Sequence, residues 1–115
     1  MIRIAICDDE APIRAYLVSL IRAQGCPCEV VEYASASDCL ADHREIDLLF
    51  LDIELNAAGP DGMELARKIR ESSSAAQPVI IFVTGYERYV FDAFDVGAFQ
   101  YLLKPVDEEK FAQVF

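Results

Sequence analysis

Two patterns of hydrophobic and polar residues alternate along this chain. Short apolar runs predict strands that are buried on both faces of a sheet. They span residues 2–7, 28–33, 48–51, 79–83 and 99–103. Between them, apolar residues recur every three or four positions, which predicts amphipathic helices. These helices are expected to begin near Pro12, Ser35, Asp61, Glu87 and Asp107. Such an alternation predicts an α/β fold, with a parallel sheet, right-handed crossovers and helices on both faces.

The ends and faces of several helices follow from local signals. Gly25 comes after the first helix, where glycine is favoured just past a C-terminus. Asp61 stands three residues before Glu64, which is the spacing of a capping box. The second helix, residues 39–44, is weakly patterned. The fourth helix, residues 87–96, is expected to turn three apolar side chains toward the core. These are Val90, Ala93 and Phe94.

Composition is typical of a globular domain. The 115 residues are enough for one domain with a buried core, and 54% of them are hydrophobic. No apolar run approaches the roughly 20 residues that a membrane span needs, and the residues after Met1 lack the layout of a signal peptide. We therefore expect a single domain over residues 1–115, located in the cytoplasm. Because the last helix is short and stops at the apolar Phe115, the natural chain is expected to continue.

Charge and cysteine content narrow the function classes. The net charge of −10 argues against direct binding of nucleic acid, whose phosphates require Lys and Arg. Cys26 and Cys28 are separated by one proline, whereas zinc and thioredoxin motifs have a two-residue spacer, and His43 is the single histidine. Reduced structural thiols are therefore favoured for all four cysteines. A redox role for the Cys26–Cys28 pair stays open.

Polar side chains end four of the five predicted strands. Asp8 and Asp9 follow the first strand, Asp52 the third, Thr84 the fourth and Lys104 the fifth. Because the carboxyl ends of parallel strands meet at one edge of a sheet, we expect these side chains to converge on one small site.

Three carboxylates held together repel one another unless a cation joins them. Carboxylate oxygens with room for water suit Mg²⁺, so Asp8, Asp9 and Asp52, with the main-chain carbonyl of Glu54, form a candidate metal site. Lys104 would supply a positive charge for a phosphoryl group, and a carboxylate can carry such a group as an aspartyl phosphate.

These residues lie in segments that resemble the receiver domain of two-component response regulators, over essentially the whole chain. The matching segments are Ile6-Cys7-Asp8-Asp9-Glu10, Leu49-Phe50-Leu51-Asp52, Gly59-Pro60-Asp61-Gly62-Met63-Glu64, Val83-Thr84-Gly85 and Tyr101-Leu102-Leu103-Lys104-Pro105. The resemblance implies a flavodoxin-like, doubly wound sheet of five parallel strands in the order 2-1-3-4-5.

The resemblance also implies a role for each residue of the site. Asp52 matches the phosphoacceptor, which takes a phosphoryl group from a sensor histidine kinase with Mg²⁺ bound by Asp8 and Asp9. Lys104 and Thr84 match the residues that contact the phosphoryl group, and Thr84 is also the switch hydroxyl. Tyr101 matches the switch aromatic, and Pro105 the proline of a cis peptide bond.

Residues 89–105 look most like receivers attached to LytTR-type DNA-binding domains. That likeness implies a transcriptional output through a C-terminal domain outside this chain, with DNA bound there. Helical spacing places Phe91 off the face of Val90 and Phe94, and two interpretations stay open: an exposed residue that serves a phosphorylation-dependent homodimer or an effector contact, or a partly buried aromatic. Recognition by the kinase is expected to involve exposed residues of the first helix, such as Arg14 and Val18.

Other functions were weighed against this one. A flavin carrier would need a Ser/Thr/Gly phosphate loop after the first strand, where Asp8, Asp9 and Glu10 stand. An aspartyl phosphatase would place a second Asp two positions after the first. A receiver that acts only as an interaction module stays open. Taken singly, Asp8 or Asp9 is explained as a helix cap, Lys104 as a solvated lysine and Tyr101 as a core residue, so the argument rests on their joint placement.

Overall fold

A computed structural model describes residues 1–42, 45–55, 61–71 and 78–115 of the chain. The strands are β1 Ile2–Cys7, β2 Cys28–Tyr33, β3 Leu48–Leu51, β4 Val79–Thr84 and β5 Gln100–Leu103. The helices are α1 Ala11–Ala23, α2 Ala36–Ala41, α3 Gly62–Glu71, α4 Val90–Asp95 and α5 Glu108–Val114, with a short 3₁₀ turn at Glu87–Tyr89. Within these ranges, no helix has the length and apolar character needed to cross a membrane.

The five strands form one parallel sheet in the order β2-β1-β3-β4-β5, so the predicted fold and strand order are confirmed. The register sets Cys7 beside Leu51 and Leu51 beside Phe82. Thr84 pairs with Leu103 in the same way. The strands therefore end side by side, and the residues that follow them share one edge of the sheet.

Alternate strand residues enter two separate cores, one on each face of the sheet. Ile4, Ile6, Phe50 and Ile81 pack with α1 and α5, whose contributions include Phe111. Their neighbours on the strands pack with α2, α3 and α4 on the other face. They are Ala5, Cys7, Leu49, Leu51, Ile80 and Phe82. Because both faces are covered, β3 carries apolar residues at every position and β4 does so up to Thr84, which explains the uninterrupted runs in the sequence.

Three guanidinium contacts of Arg70 connect the end of α3 to other segments, two of them to the end of α4 and one to the residue before β4. Arg70 Nε donates to the Val96 carbonyl at 2.8 Å, Nη1 to the Pro78 carbonyl at 2.9 Å and Nη2 to the Gly97 carbonyl at 3.2 Å. These carbonyls lie just after α4 and just before β4. One side chain thus fixes the C-terminal end of α4.

Two helix predictions were wrong in detail. Phe94 is 68% exposed and does not face the core. The 3₁₀ turn shortens α4, which then packs through Ala93 and Val96, three residues apart, so that Phe94 lies to one side. The second helix begins where predicted, with Ser35 as its N-cap, but ends at Ala41 rather than at residue 44, since Asp42 has an extended backbone. The predictions on His43 and residues 59–60 lie outside the described residues.

Candidate functional site

Backbone hydrogen bonds extend the sheet by one residue and position the site. The Asp52 N–H donates to the Cys7 carbonyl at 3.0 Å, and the Lys104 N–H donates to the Thr84 carbonyl at 2.9 Å. Asp8, Asp52 and Lys104 therefore follow β1, β3 and β5 at the same level of the sheet. The predicted side chains come together because the sheet is parallel, although they are up to 96 residues apart in sequence.

Three carboxylates meet at this edge. One oxygen from each of Asp8, Asp9 and Asp52 lies within 4.8 Å of the others. Asp8 is 1% exposed and Asp52 6% exposed, whereas Asp9 is partly exposed. Hard oxygen donors at this spacing, with one side open, fit a divalent cation such as Mg²⁺. Glu54, the source of the predicted carbonyl ligand, lines the adjoining cleft.

Lys104 joins two of these carboxylates. Its Nζ donates to Asp8 Oδ2 at 2.8 Å and to Asp52 Oδ2 at 3.0 Å. Burial lowers the pKa of Lys104, but the hydrogen bonds and charges of Asp8 and Asp52 outweigh it and leave that pKa raised. The ammonium therefore stays protonated. It holds a positive charge at the point where the two acids converge.

Asp52 combines burial with a titration close to neutrality. Removal from water raises the pKa of Asp52 from 3.8 to about 6; the Lys104 contact opposes this rise and the charge of Asp8 adds to it. At neutral pH the carboxylate is therefore mostly ionised, although its charge is only partly compensated. An ionised, incompletely solvated carboxylate is suited to nucleophilic attack.

A buried hydroxyl completes this edge of the site. Thr84 is fully buried, and its Oγ1 has no hydrogen-bond partner among the described residues. Leaving a buried hydroxyl unpaired costs free energy, so the Thr84 hydroxyl is available to donate a hydrogen bond. An anionic oxygen is a suitable acceptor for it. An open cleft of about 310 Å³ lies beside it. The cleft is lined by Glu10, Asp52, Glu54, Gly85, Tyr86 and Lys104.

The predicted switch aromatic is half-buried. The Tyr101 ring packs against Phe82 with ring centroids 6.3 Å apart, and its hydroxyl donates to the Tyr86 carbonyl. Tyr101 therefore links β5 to the segment that follows β4. The Lys104–Pro105 peptide bond is cis.

Arg14 supports the site in a way that its sequence position did not indicate. Its Nη1 donates to the Asp8 carbonyl at 2.6 Å and its Nε to Glu32 Oε1 at 3.2 Å. The expectation that Arg14 and Val18 are exposed was wrong, because both are partly buried. A single arginine in an amphipathic helix carries no sequence signal for such a contact.

Gly62 is a second residue whose importance was missed. Its N–H donates to the Ile53 carbonyl at 2.8 Å, which brings the start of α3 close to β3. A Cβ built on Gly62 would lie 1.9 Å from the Asp52 carbonyl oxygen. This contact is impossible, so a side chain here would displace either α3 or the backbone of Asp52.

We expect Gly62→Ala to lower the free energy of unfolding by about 3 kcal/mol, because backbone atoms must move to admit the methyl group. Urea denaturation would measure it. Gly85→Ala is the matched control, since a Cβ at Gly85 meets nothing within 4 Å. Equal losses for the two variants would contradict the prediction.

Comparisons with known proteins agree with this geometry. A family model described as the response regulator receiver domain matches residues 4–115. The sensory transduction protein LytT of Bacillus subtilis is 37% identical over 98% of this chain and 46% of its own length. LytT of Enterococcus faecalis is 36% identical over 96% of this chain and 45% of its own. The chain thus spans about half the length of the curated relatives it matches.

Solved structures have the same fold. The response regulatory domain of protein mrkE from Klebsiella pneumoniae superposes with a TM-score of 0.88 at 30% identity, covering 98% of this chain and 91% of that one. The response regulator protein TrrA from Thermotoga maritima, in complex with Mg(2+)-BeF, superposes with a TM-score of 0.80 at 29% identity, covering 100% of both chains.

Proposed function

This chain belongs to the response regulator receiver domain family of two-component systems, and on that premise we propose that Asp52 accepts a phosphoryl group from a sensor histidine kinase. The observation that carries the proposal is the setting of Asp52. Its carboxylate is buried, lies within 3.0 Å of the Lys104 ammonium and opens onto a cleft beside two further acids.

We infer that Asp8, Asp9 and Asp52, with the main-chain carbonyl of Glu54, hold Mg²⁺. When bound, Mg²⁺ neutralises negative charge that develops during phosphoryl transfer. Lys104, which contacts Asp8 and Asp52, supplies a fixed positive charge beside the Asp52 carboxylate. The unpaired Thr84 hydroxyl supplies a hydrogen bond for a phosphoryl oxygen.

The transfer forms one bond and breaks another. An Asp52 oxygen attacks the phosphorus of a phosphohistidine, the phosphorus–nitrogen bond breaks, and the imidazole leaves with that electron pair. In a small donor such as acetyl phosphate, acetate leaves instead. The protein contributes orientation and charge rather than a proton at the reacting atoms.

Phosphorylation replaces the single negative charge of the Asp52 carboxylate with roughly two on the phosphoryl group, which attract Lys104 and the Thr84 hydroxyl. Movement of Thr84 makes room for the Tyr101 ring and repacks the surface formed by α4, β5 and α5. We describe this switch as a population shift between two packings. Phe91, on α4, is 80% exposed and would be available for a phosphorylation-dependent homodimer.

For the whole protein, we propose a cytoplasmic transcription regulator in which residues 1–115 are the receiver and a C-terminal LytTR-type domain binds DNA. The likeness to LytT proteins more than twice as long supports this proposal. The acidic receiver itself is not expected to bind DNA, since its net charge is −10.

The proposal is tested by incubating the chain with acetyl phosphate, with Mg²⁺ or with EDTA. Intact-protein mass spectrometry is expected to show the gain of one phosphoryl group only with Mg²⁺, and peptide mapping is expected to place it on Asp52. Absence of Mg²⁺-dependent phosphorylation, with no Mg²⁺ binding at millimolar concentration, would instead support a receiver that acts only as an interaction module.

A further inference from the structure

Four side chains at the rim of the cleft form a separate cluster, which we call the Glu54 cluster. It consists of Glu54, Tyr86, Arg88 and Tyr89. Glu54 Oε1 accepts from Arg88 Nη2 at 2.5 Å and from the Tyr89 hydroxyl at 2.6 Å. The Arg88 guanidinium carbon lies 4.5 Å from the centre of the Tyr86 ring and 5.0 Å from that of Tyr89.

The cluster joins two segments that are distant in sequence. Glu54 comes two residues after Asp52, while Arg88 and Tyr89 belong to the 3₁₀ turn that leads into α4. Glu54 and Tyr86 also line the cleft beside Asp52 and Lys104. The position of the Glu54 carboxylate therefore bears directly on the space that a phosphodonor would enter.

A fourth carboxylate facing this cleft would oppose phosphoryl transfer. Asp8, Asp9 and Asp52 already bring three negative charges together, and the phosphodonor is itself an anion. A further unit charge about 8 Å from the donor costs about 2 kcal/mol at the effective dielectric of a protein surface, and screening by salt reduces its effect on donor binding to about threefold to tenfold. A carboxylate on a flexible side chain could also reach the bound metal.

We propose that Arg88 is a positioning residue for phosphoryl transfer: by holding the Glu54 carboxylate against Tyr89, it keeps that carboxylate at the rim of the cleft and away from the phosphoryl-accepting Asp52. The inference rests on the proposed function. Arg88 is proposed to set the orientation of the Glu54 carboxylate, not to stabilise the fold. Its side chain is 63% exposed, and exposed ion pairs contribute little stability. The planar guanidinium, held near two rings, fixes where the carboxylate points.

The experiment is a double-mutant cycle on Arg88→Ala and Glu54→Gln, with acetyl phosphate at saturating Mg²⁺. Arg88→Ala is expected to raise the KM for acetyl phosphate about threefold to tenfold while the maximal rate changes little. In the Glu54→Gln background, Arg88→Ala is expected to have no further effect. Arg88→Lys keeps the charge but loses the planar group, so it is expected to restore KM only in part.

Mg²⁺ binding without phosphodonor provides a second measurement. Calorimetry is expected to show a lower Mg²⁺ dissociation constant for Arg88→Ala than for wild type, because the released carboxylate adds negative charge near the metal. The double variant is expected to have the same Mg²⁺ dissociation constant as Glu54→Gln. Arg22→Ala, which removes an exposed arginine of α1, is the control for net charge.

Two results would overturn the inference: a KM for Arg88→Ala equal to that of Arg22→Ala, or an effect of equal size with and without the Glu54 carboxylate. The second would show that Arg88 acts through the fold alone. If the wild-type chain takes up no phosphoryl group, the proposed function fails. In that case the calorimetry still decides the role of Arg88, and equal Mg²⁺ dissociation constants for wild type and Arg88→Ala overturn it.

Discussion

Asp52→Asn is expected to abolish phosphoryl uptake from acetyl phosphate while making the metal-free protein more stable at neutral pH. A carboxamide provides no anionic oxygen to attack phosphorus, so the aspartyl phosphate cannot form. The same substitution removes a buried charge whose desolvation is incompletely repaid by Lys104. Activity and stability therefore change in opposite directions.

The stability effect depends on pH with a definite sign. Burial raises the pKa of Asp52 from 3.8 to about 6, so the folded chain binds this proton more tightly than the unfolded chain does. The free energy of unfolding therefore falls as pH rises from about 4 to about 6, and stays low above that range. At about 1.4 kcal/mol per pKa unit, the loss is at most about 3 kcal/mol.

Urea denaturation in EDTA at about pH 8 and about pH 4 would measure this dependence. Asp52→Asn is expected to stabilise the protein at the higher pH and to have little effect at the lower one, where the carboxyl group is already neutral. Asp95→Asn, at an exposed position of α4, is the control. A gain of the same size at both pH values would contradict the assignment of the effect to the buried charge.

Lys104→Met is expected to slow phosphorylation about 100-fold, which is a typical loss when one fixed stabiliser of transition-state charge is removed. Methionine has similar length but offers neither a charge nor a donor. The two contacts of Nζ with Asp8 and Asp52, at 2.8 and 3.0 Å, would both be lost. Initial rates of mass gain at saturating Mg²⁺ would measure the effect.

Mg²⁺ binding is expected to respond to Lys104→Met in the opposite way. The ammonium now contacts two carboxylates that are proposed to bind the metal, so its removal is expected to leave Mg²⁺ affinity unchanged or higher. Lys110→Met, at an exposed position of α5, is the matched control. A slower rate accompanied by equally weakened Mg²⁺ binding would indicate a disrupted metal site rather than a missing charge.

The sequence predicted the sheet and the residues at its edge because both depend on local patterns. A strand covered on both faces is apolar at every position, and its end is marked by the first polar residue, as at Asp8 and Asp52. Once the strands are parallel, these ends must meet. The convergence of the side chains named beforehand follows from that single topological fact.

The remaining features depend on contacts between segments that no local pattern records. The need for glycine at position 62 arises only when α3 approaches the Asp52 carbonyl. Arg88 and Glu54 are 34 residues apart, and nothing in either neighbourhood indicates the other. Phe94 was misplaced because a helical period was extended through a 3₁₀ turn.

Arg70 holds the C-terminal end of α4 through its contacts with the Val96 and Gly97 carbonyls. Val96 and Gly97 are tied to α3, whereas Val90 follows directly from the segment that carries Thr84 and Tyr86. A displacement that begins at Thr84 would therefore rotate α4 about its C-terminal end at Val96. The exposed ring of Phe91, near the other end of the helix, would move further than residues close to Val96. Hydrogen exchange at the amides of Val96 and Gly97 is therefore expected to stay unchanged on phosphorylation, whereas exchange at the start of α4 is expected to change.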